Sequence, residues 1–282
     1  MNAMLLDEIN APFESENHIA ELKIDGIRGL VNKQDRVKIY SRHQNDITSR
    51  FEEITEAATR AVPSGTKLDG EIVVCDLKTG KPDFEATMSR FQSTRRKQIT
   101  PGLCYVAFDI LSYKGKDTTS LPLMKRKELL EEALTENELI KRIRYVEQGF
   151  IPLFDKCREQ QLEGIVLKQR DAQYFQGKRP KNIWQRVIAY NRAECLITGY
   201  SKVSHAWSIG VSRNGEIVPA GLLKHGLNTP IGKTVFPFLK QAVIKETDNF
   251  VFVHPFVKIG VRFRYWTRNG KMRLPVLEEV IF

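Results

Sequence analysis

Short apolar segments separated by polar turns recur along the chain, and this pattern limits the possible folds more than any other feature. Such runs are typical of β-strands, whereas apolar residues three or four positions apart indicate amphipathic helices. The pattern predicts strands over residues 19–22, 27–32, 37–41, 68–74 and 103–111, and helices over residues 50–62 and 122–134. The polar residues 33–36 predict a hairpin turn. We therefore expect the first part of the chain to be α+β with antiparallel sheets.

The pattern changes after Asn191, where strands dominate. We predict strands over residues 194–202, 207–212, 216–223 and 261–266, and one helix over residues 231–243. About five short strands and one helix in such a length are typical of a small β-barrel of the oligonucleotide-binding type, the OB-fold. We place the boundary near Ala189, with an α+β domain over residues 1–189 and an OB-fold domain over residues 190–282.

Length and charge agree with two domains and a polyanionic partner. A chain of 282 residues is long enough to bury two separate cores. It carries 44 Lys and Arg residues against 34 Asp and Glu residues, which gives a net charge of +10 and an isoelectric point near 9.4. Such a basic balance indicates nucleic acid, although charge alone does not choose between DNA, RNA and an anionic membrane.

The remaining composition indicates a protein that works inside a cell. No apolar stretch is long enough to span a bilayer, and Asp7 and Glu8 stand where a signal peptide would carry basic residues. We therefore expect a cytoplasmic protein without a membrane partner. The four cysteines have no close spacing and form no cluster with histidine, so we expect reduced packing residues, neither disulfides nor a zinc site.

Most of the basic excess lies in the second predicted domain. Residues 190–282 contain 13 Lys and Arg against 6 Asp and Glu, a net charge of +7, whereas the longer first part has a net charge of only +3. Surface charges are usually just solvated. In a barrel of a type that binds nucleic acid, we favour binding to the phosphate backbone.

A series of short motifs in a fixed order carries the chemistry. Taken alone, ELKIDGIR (residues 21–28) fits an ordinary hairpin with an exposed lysine. It is followed along the chain by SR (41–42), LDGEIV (68–73), YVAFD (105–109), EGIVLK (163–168), GKR (177–179) and WQR (184–186). The whole set in this order is very hard to obtain by chance.

The set resembles the covalent nucleotidyltransferase superfamily and, within it, the ATP-dependent DNA ligases, over nearly the whole chain. The resemblance implies an adenylation domain followed by the OB-fold domain, with ATP and Mg²⁺ or Mn²⁺ as cofactors. It also implies that Lys23 attacks the α-phosphate of ATP to give a lysyl-AMP. The other implied roles are adenine binding by Glu21 and Phe108, ribose and phosphate contacts by Arg28, Arg42 and Glu71, a metal site at Glu71 and Glu163, and phosphate contacts by Lys168, Arg179 and Arg186.

The chemistry of these residue types agrees with those roles. A lysine amine is a nucleophile only when neutral, and neighbouring cations such as Arg28, Lys168, Arg186 and a metal ion favour that form. Arginine, lysine and Mg²⁺ stabilise the negative charge that collects on phosphate oxygens during transfer. Glu71 and Glu163 would be unhelpful there unless they hold metal or ribose, the alternative being surface ion pairs. For Phe108, ordinary core packing is the alternative to stacking on adenine.

The sequence departs from the family pattern in two places. After Trp184 the family usually has two lysines one residue apart, and here those positions are Arg186 and Ile188. The segment GKMRLP (270–275) resembles the start of the last motif, whose basic residues orient the pyrophosphate, but the chain lacks the further Arg and Lys that usually follow. We therefore expect Arg273 to carry that role and self-adenylylation to be less efficient.

Three functions remain open from the sequence. The first is a minimal DNA ligase of the viral, phage or bacterial type, a monomer acting on nicked duplex DNA. The second is an RNA ligase or a capping guanylyltransferase, which shares the lysine motif. The third is a non-catalytic nucleic-acid-binding relative, against which the intact Lys23, Glu71 and Glu163 argue. We rank the DNA ligase first because Trp266, Thr267 and the segment 270–275 resemble DNA ligases most.

Overall fold

The computed structural model describes residues 2–93 and 100–281. The chain forms two compact units, Met1–Ile188 and Ala189–Phe282. Within the described ranges, no helix is both long and apolar enough to cross a membrane. Met1 and Phe282, with which the predicted domains begin and end, lie outside the described residues.

The first unit contains two sheets and four helices in its described part. Its strands are β1 (Asp7–Ile9), β2 (His18–Leu22), β3 (Ile27–Lys33), β4 (Val37–Ser41), β5 (Thr66–Val74), β6 (Leu103–Tyr113), β7 (Lys116–Asp117), β8 (Ile140–Arg142), β9 (Tyr145–Val146), β10 (Gly164–Gln169) and β11 (Trp184–Ile188). Its helices are α1 (Glu52–Ala61), α2 (Phe84–Gln92), α3 (Leu123–Ala133) and α4 (Phe150–Glu159). One sheet has the strand order β1-β11-β10-β2-β9, and the other has β4-β3-β5-β6-β7 with β8 beside β6.

Most predicted elements of this unit are present with small shifts at their ends. The β3–β4 hairpin turns at the predicted polar segment, where Lys33 pairs with Val37. Helix α1 begins later than predicted because residues Thr48–Arg50 form a separate 3-10 turn. Helices α2 and α4 were not predicted. The first is capped by the Asp83 carboxylate, which accepts from the Ala86 N–H at 2.9 Å.

Two strand pairings differ from the purely antiparallel prediction. Strand β1 runs parallel to β11, with Glu8 opposite Arg186, and β8 runs parallel to β6. Parallel neighbours come from distant parts of the chain, so short-range patterns do not reveal them. Burial of Ala3 and Met4 holds the N-terminal segment in the same core cluster as Ile19 of β2.

Helix α3 is fixed to the six-stranded sheet by a buried ion pair. The Arg126 guanidinium donates to both carboxylate oxygens of Asp109 at 2.8 Å, and both side chains are fully buried. Arg126 also donates to the carbonyls of Leu121 and Ala172. Breaking such a pair by removing one partner typically costs ~3–5 kcal/mol, because the other charge stays buried. The position of α3 against β6 is therefore firmly set.

The second unit is an antiparallel barrel of the OB type, which together with the first unit confirms the predicted fold class. Its elements are β12 (Asn191–Ser201), β13 (Trp207–Arg213), β14 (Glu216–Leu223), α5 (Pro230–Gln241), β15 (Val243–Glu246), β16 (Phe250–Val253), β17 (Lys258–Phe263) and β18 (Val276–Ile281). Strand β12 pairs with β13 on one side and successively with β17 and β16 on the other. A bridge between His225 and Val276 links the β14 end of the sheet to the β18 end.

Three details of the second unit differ from the prediction. The described residues form seven strands where about five were expected, because β15, β16 and β18 were not predicted. The last predicted strand ends at Phe263, and Trp266 forms only an isolated bridge to Met272. Helix α5 stops at Gln241, so that Val243 begins β15.

The cysteines are free, as expected, but not all are buried. Cys157 and Cys195 are buried, whereas Cys75 and Cys104 are half-buried. Strands β5 and β6 bring these two together, and a hydrogen bond from the Cys104 thiol lowers the pKa of Cys75. Residues far apart in the sequence become neighbours here because their strands pair.

Candidate active site

A pocket in the first unit is lined by residues from both of its sheets. The lining is mostly apolar and contains five charged residues of three types, Glu, Lys and Arg. The residues are Leu6, Glu21, Leu22, Lys23, Ile24, Arg28, Glu71, Phe108, Ile143, Val166, Lys168 and Trp184. A mostly apolar concave site with a few convergent charged groups is typical of a small-molecule binding site.

Lys23 lies in this pocket directly after β2. Its backbone N–H donates to the Gly164 carbonyl at 2.9 Å, which ties it to the start of β10. Glu163 directly precedes β10, and its Oε2 lies 2.9 Å from Nζ of Lys23. The Lys23 side chain is 17% exposed, so its amine is accessible from the pocket.

The basic side chains expected around Lys23 each have a carboxylate partner of their own. The pairs are Arg28 with Asp69, Lys168 with Glu21, and Arg186 with Glu8. Their charges are therefore largely balanced locally, and the charged group that is bonded to Lys23 is a carboxylate. The expected activation of Lys23 by these cations stays a prediction.

Arg28 is held by a buried network. Its Nε and one terminal nitrogen bond both oxygens of Asp69, which is fully buried and also accepts from the Tyr174 hydroxyl at 2.6 Å. Burial disfavours the guanidinium charge, but Asp69 outweighs it and raises the pKa of Arg28. The guanidinium lies 4.5 Å from the Phe108 ring centre, so it is fixed beside the aromatic wall of the pocket.

Glu71 is the second carboxylate that faces Lys23 and Glu163. Burial raises the pKa of Glu71 to about 7; the charges of Lys23 and Arg28 oppose the rise, and Glu163 adds to it. Two carboxylates that disfavour each other's charge form a natural site for a cation. Among residues 2–93 and 100–281, however, no group of three or more His, Cys, Asp or Glu side chains is arranged to hold a metal.

Glu21 is almost completely buried and is bonded to two lysines. Its Oε2 lies 2.7 Å from Nζ of Lys168, and its Oε1 accepts a hydrogen bond from Lys127 of α3. Nζ of Lys127 also donates to the Phe108 carbonyl at 2.9 Å. The Glu21 carboxylate is therefore held in place from two sides.

Lys168, which the resemblance places on the phosphates, is only 2% exposed here. Its Nζ lies 4.6 Å from the Phe108 ring centre and 4.0 Å from that of Trp184. Burial lowers the pKa of Lys168 to about 8; Glu21 opposes the shift and the Lys127 charge adds to it. Phe108 itself is half-buried, touching Trp184 edge-on at 6.1 Å, so it both packs in the core and lines the pocket.

The remaining predicted residues are not among those that line the pocket. Arg42 and Arg179 are exposed on the segments that follow β4 and precede β11. Arg186 lies on β11, and its Nε is 2.9 Å from Glu8 of β1. Arg273 belongs to the second unit, where its guanidinium lies 5.7 Å from the Tyr265 ring centre. Of the predicted residues, the pocket lining brings together Lys23, Glu21, Arg28, Glu71, Phe108 and Lys168.

Several pocket residues were not predicted. Leu6, Ile143 and Val166 contribute apolar surface to the lining, and Lys127, which is not part of the lining, donates to Glu21. Val166 belongs to the motif EGIVLK, and the alternation of side chains along β10 could have indicated that Val166 lines the pocket. Nothing in the local pattern indicates Leu6 or Ile143, because they arrive from segments far apart in the chain.

Comparisons with known proteins show the family of this chain. The family model for the ATP dependent DNA ligase domain matches residues 1–186. The chain is 36% identical over 280 residues to the SPbeta prophage-derived DNA ligase-like protein LigB of Bacillus subtilis (strain 168), covering 99% of this chain and 98% of that one. It is 34% identical over 197 residues to a probable DNA ligase of Dictyoglomus thermophilum, covering 64% of this chain and 34% of that longer protein.

A solved structure shows the same fold. The mycobacterial DNA ligase D complexed with ATP and MES superposes with a TM-score of 0.60 at 23% identity, covering 99% of this chain and 94% of that one. The family model matches most of the first unit, and the Bacillus subtilis relative is matched over nearly its whole length. The chain therefore belongs to the ATP-dependent DNA ligase family and is a ligase enzyme that acts on nucleic acid.

Proposed function

We propose that this protein seals nicks in duplex DNA by a sequence of reactions that begins at Lys23. The neutral Nζ attacks the α-phosphorus of ATP, forming an N–P bond while the bond to the β-phosphate oxygen breaks and pyrophosphate leaves. The AMP is then passed to the 5′-phosphate at the nick, which frees Lys23. The 3′-hydroxyl finally attacks that phosphate, closing the strand and releasing AMP.

One observation carries this proposal: an accessible lysine amine lies at a mostly apolar pocket, 2.9 Å from a carboxylate. An ammonium has no free electron pair, so Lys23 must lose its proton and its bond to Glu163 before it attacks. Whatever engages Glu163 during nucleotide binding therefore frees the nucleophile.

The apolar part of the pocket is proposed to hold the adenine. Phe108 offers a ring face, and Ile143 and Val166 line the same pocket. The Glu21 carboxylate is a hydrogen-bond acceptor at this site and suits the amino group of adenine. Arg28, fixed by Asp69, is proposed to contact the ribose or a phosphate.

Glu71 and Glu163 are proposed to hold Mg²⁺ or Mn²⁺. Carboxylate oxygens are the ligands that these hard ions prefer, and a cation between the two would relieve the repulsion that helps to keep the pKa of Glu71 at about 7. When bound, the ion supplies neutralisation of charge on the phosphate oxygens. Two carboxylates suit Mg²⁺, which usually keeps several waters and is also bound by substrate phosphates.

The other cations are proposed to contact phosphates during the reaction. Lys168, Arg186, Arg179 and Arg42 would act on ATP, and Arg273 would orient the pyrophosphate. Lys168 and Arg186 must exchange their carboxylate partners for phosphate to do so. The proposed functional form is a monomer, and the location inside the cell stays a prediction.

The second unit is proposed to grip the duplex through its phosphates. Its net charge of +7 is carried largely by lysines and arginines on a barrel fold. Neutralising phosphates releases counterions, so this binding would weaken steeply with salt.

Incubation of the protein with labelled ATP or GTP and Mg²⁺ tests the proposal directly. We expect a covalent AMP adduct with ATP that persists on a denaturing gel, followed by closure of nicked DNA in preference to nicked RNA. An adduct with GTP alone would indicate a capping enzyme, preferential closure of RNA would indicate an RNA ligase, and no adduct with either would indicate a binding protein. A Lys23→Ala variant is the control for the site of attachment.

A further inference from the structure

Lys127 connects two of the residues proposed to bind adenine, although it does not itself line the pocket. From helix α3 its Nζ bonds the Glu21 carboxylate of β2 and donates to the Phe108 carbonyl of β6 at 2.9 Å. The residue is only 7% exposed. The neighbouring Arg126 is locked to Asp109 of β6, so the backbone that carries Lys127 is fixed.

Lys127 is bound tightly enough to set the positions of Glu21 and Phe108 in the pocket lining. Glu21 is 2% exposed, and a buried carboxylate that loses a hydrogen-bond partner becomes markedly less stable in its place. The other partner, Lys168, lies against the rings of Phe108 and Trp184 and is proposed to exchange Glu21 for phosphate, which leaves Lys127 as the lasting partner of Glu21. Tyr145, opposite Glu21 on β9, closes the remaining side, with its ring centre 5.6 Å from Nζ of Lys127.

We propose that Lys127 is a positioning residue that sets the choice of adenine over guanine. By holding the Glu21 carboxylate and the Phe108 backbone at a fixed spacing, it presents a hydrogen-bond acceptor beside the ring that stacks on the base. Adenine offers an amino group to that acceptor, whereas guanine offers a carbonyl oxygen, which a carboxylate repels. This inference rests on the proposed function, since it takes Glu21 and Phe108 as the adenine contacts.

The test compares Lys127→Met with Lys127→Arg and with the matched control Lys125→Met. Lys125 lies on the same helix but is 63% exposed, and it forms a local ion pair with Glu128. The rate of covalent nucleotide transfer to the enzyme is measured over a range of ATP and GTP concentrations. Thermal melting of each variant is recorded in parallel.

We expect Lys127→Met to raise the KM for ATP roughly tenfold or more, with a smaller effect on kcat, because a hydrogen bond to a buried charged group is lost. The preference for ATP over GTP should fall by about the same factor. Lys127→Arg should recover much of both, since it keeps the charge and the donors, and Lys125→Met should match wild type. If Lys127→Met melts early, Lys127→Gln replaces it with the same expectation.

Two results would overturn the inference. One is an unchanged KM and an unchanged ATP preference in a Lys127 variant that melts like wild type. The other is an equal loss of rate with both nucleotides, which would mark Lys127 as merely structural. A wild-type protein that takes up neither nucleotide would instead overturn the proposed function, and this inference with it.

Discussion

The two units of the protein use charge in different ways. In the first unit, the ion pair that fixes helix α3 and an ion pair in the pocket are both buried. The side chains of Arg126 with Asp109 and of Lys168 with Glu21 are each at most 3% exposed. In the second unit, pairs such as Arg192 with Glu278 lie at the surface, where the Arg192 side chain is 67% exposed. Most of the basic excess of the chain belongs to this second unit.

This difference indicates which changes in solution conditions or sequence should affect each unit. Buried pairs are little affected by salt but depend on individual partners and on pH, whereas exposed charges are screened within about 8 Å at physiological ionic strength. We therefore expect chemistry at the first unit to respond to single substitutions and to proton concentration. Nucleic-acid binding at the second unit should respond to salt.

The largest effect is expected at Lys23. Lys23→Ala removes the only amine proposed to become covalently bonded to AMP, so the adduct and sealing from ATP should be abolished. Gel detection of labelled protein measures the first, and closure of a nicked duplex measures the second. Lys78→Ala, an exposed lysine of the same unit, is the control. Persistent labelling of the Lys23 variant would show that another residue is the nucleophile.

The next largest effect tests whether the second unit also takes part in chemistry. Arg273→Ala should slow lysyl-AMP formation by roughly a hundredfold, or ~3 kcal/mol, because the proposed charged contact to the leaving pyrophosphate would be lost. Closure of a nick that already carries AMP needs no pyrophosphate departure and should be affected far less. Rapid-quench measurement of each step separates them.

Lys271 provides the matched control for Arg273. It lies two residues earlier, and its Nζ donates to the Pro219 carbonyl at 2.7 Å. Lys271→Ala should leave both steps within a few-fold of wild type. If Arg273→Ala slowed both steps equally, the residue would be structural or DNA-binding, and the chemistry would belong to the first unit alone.

The salt dependence of DNA binding should also differ between substitutions in the two units. The affinity for a nicked duplex should fall log-linearly with salt concentration, and each second-unit cation that contacts a phosphate should lower the slope by about 0.9 when replaced. Fluorescence anisotropy with Lys258→Gln, an exposed residue of β17, measures this. Lys78→Gln in the first unit should keep the wild-type slope. An affinity insensitive to salt would mean that the basic surface is merely solvated.

The smallest effect concerns stability and pH in the first unit. The folded pKa of Glu71, about 7, lies above its ordinary value of 4.5, so its protonated form stabilises the fold. That stabilisation is complete below pH 4.5 and is lost as the pH rises towards 7. Urea unfolding in chelator at pH 5 and pH 7 should show a decline in wild type that is reduced in Glu71→Gln.

The control for this prediction is Glu56→Gln, an exposed position on α1, which should retain the wild-type decline. Adding Mg²⁺ at pH 7 should stabilise wild type more than Glu71→Gln, because an ion that binds only the folded state shifts unfolding by mass action. Equal stabilisation of both proteins by Mg²⁺ would place the ion elsewhere.

Much of the fold could be predicted from local patterns. The hairpin of β3 and β4 and the interior strands β5 and β6 could be predicted from short apolar runs. A strand buried on one face has alternating apolar residues, and a strand buried on both faces has consecutive ones. Helix α2 was missed because its sequence is polar and its start depends on a cap at Asp83. The parallel strand β1 was missed because its partner lies at the far end of the first unit.

Six of the predicted site residues line one pocket, but their contacts could not be predicted from the sequence. The motif around Lys23 and the other segments indicate the chemistry because each is short and contiguous. The partner of each charge could not be predicted. The resemblance gave Lys168 and Arg186 to phosphate, whereas in this structure they bond Glu21 and Glu8.

The sequence by itself determined the fold class and the family, and it predicted Lys23 as the reactive lysine, since these depend on residue types in a fixed order. Only the tertiary structure decided that Lys23 faces Glu163, 140 residues away, and that Lys127 supports Glu21 across 106 residues. Charges pair according to distance and burial, and both depend on how distant strands and helices pack. A local sequence pattern contains no information about the distance between distant charges or about their burial.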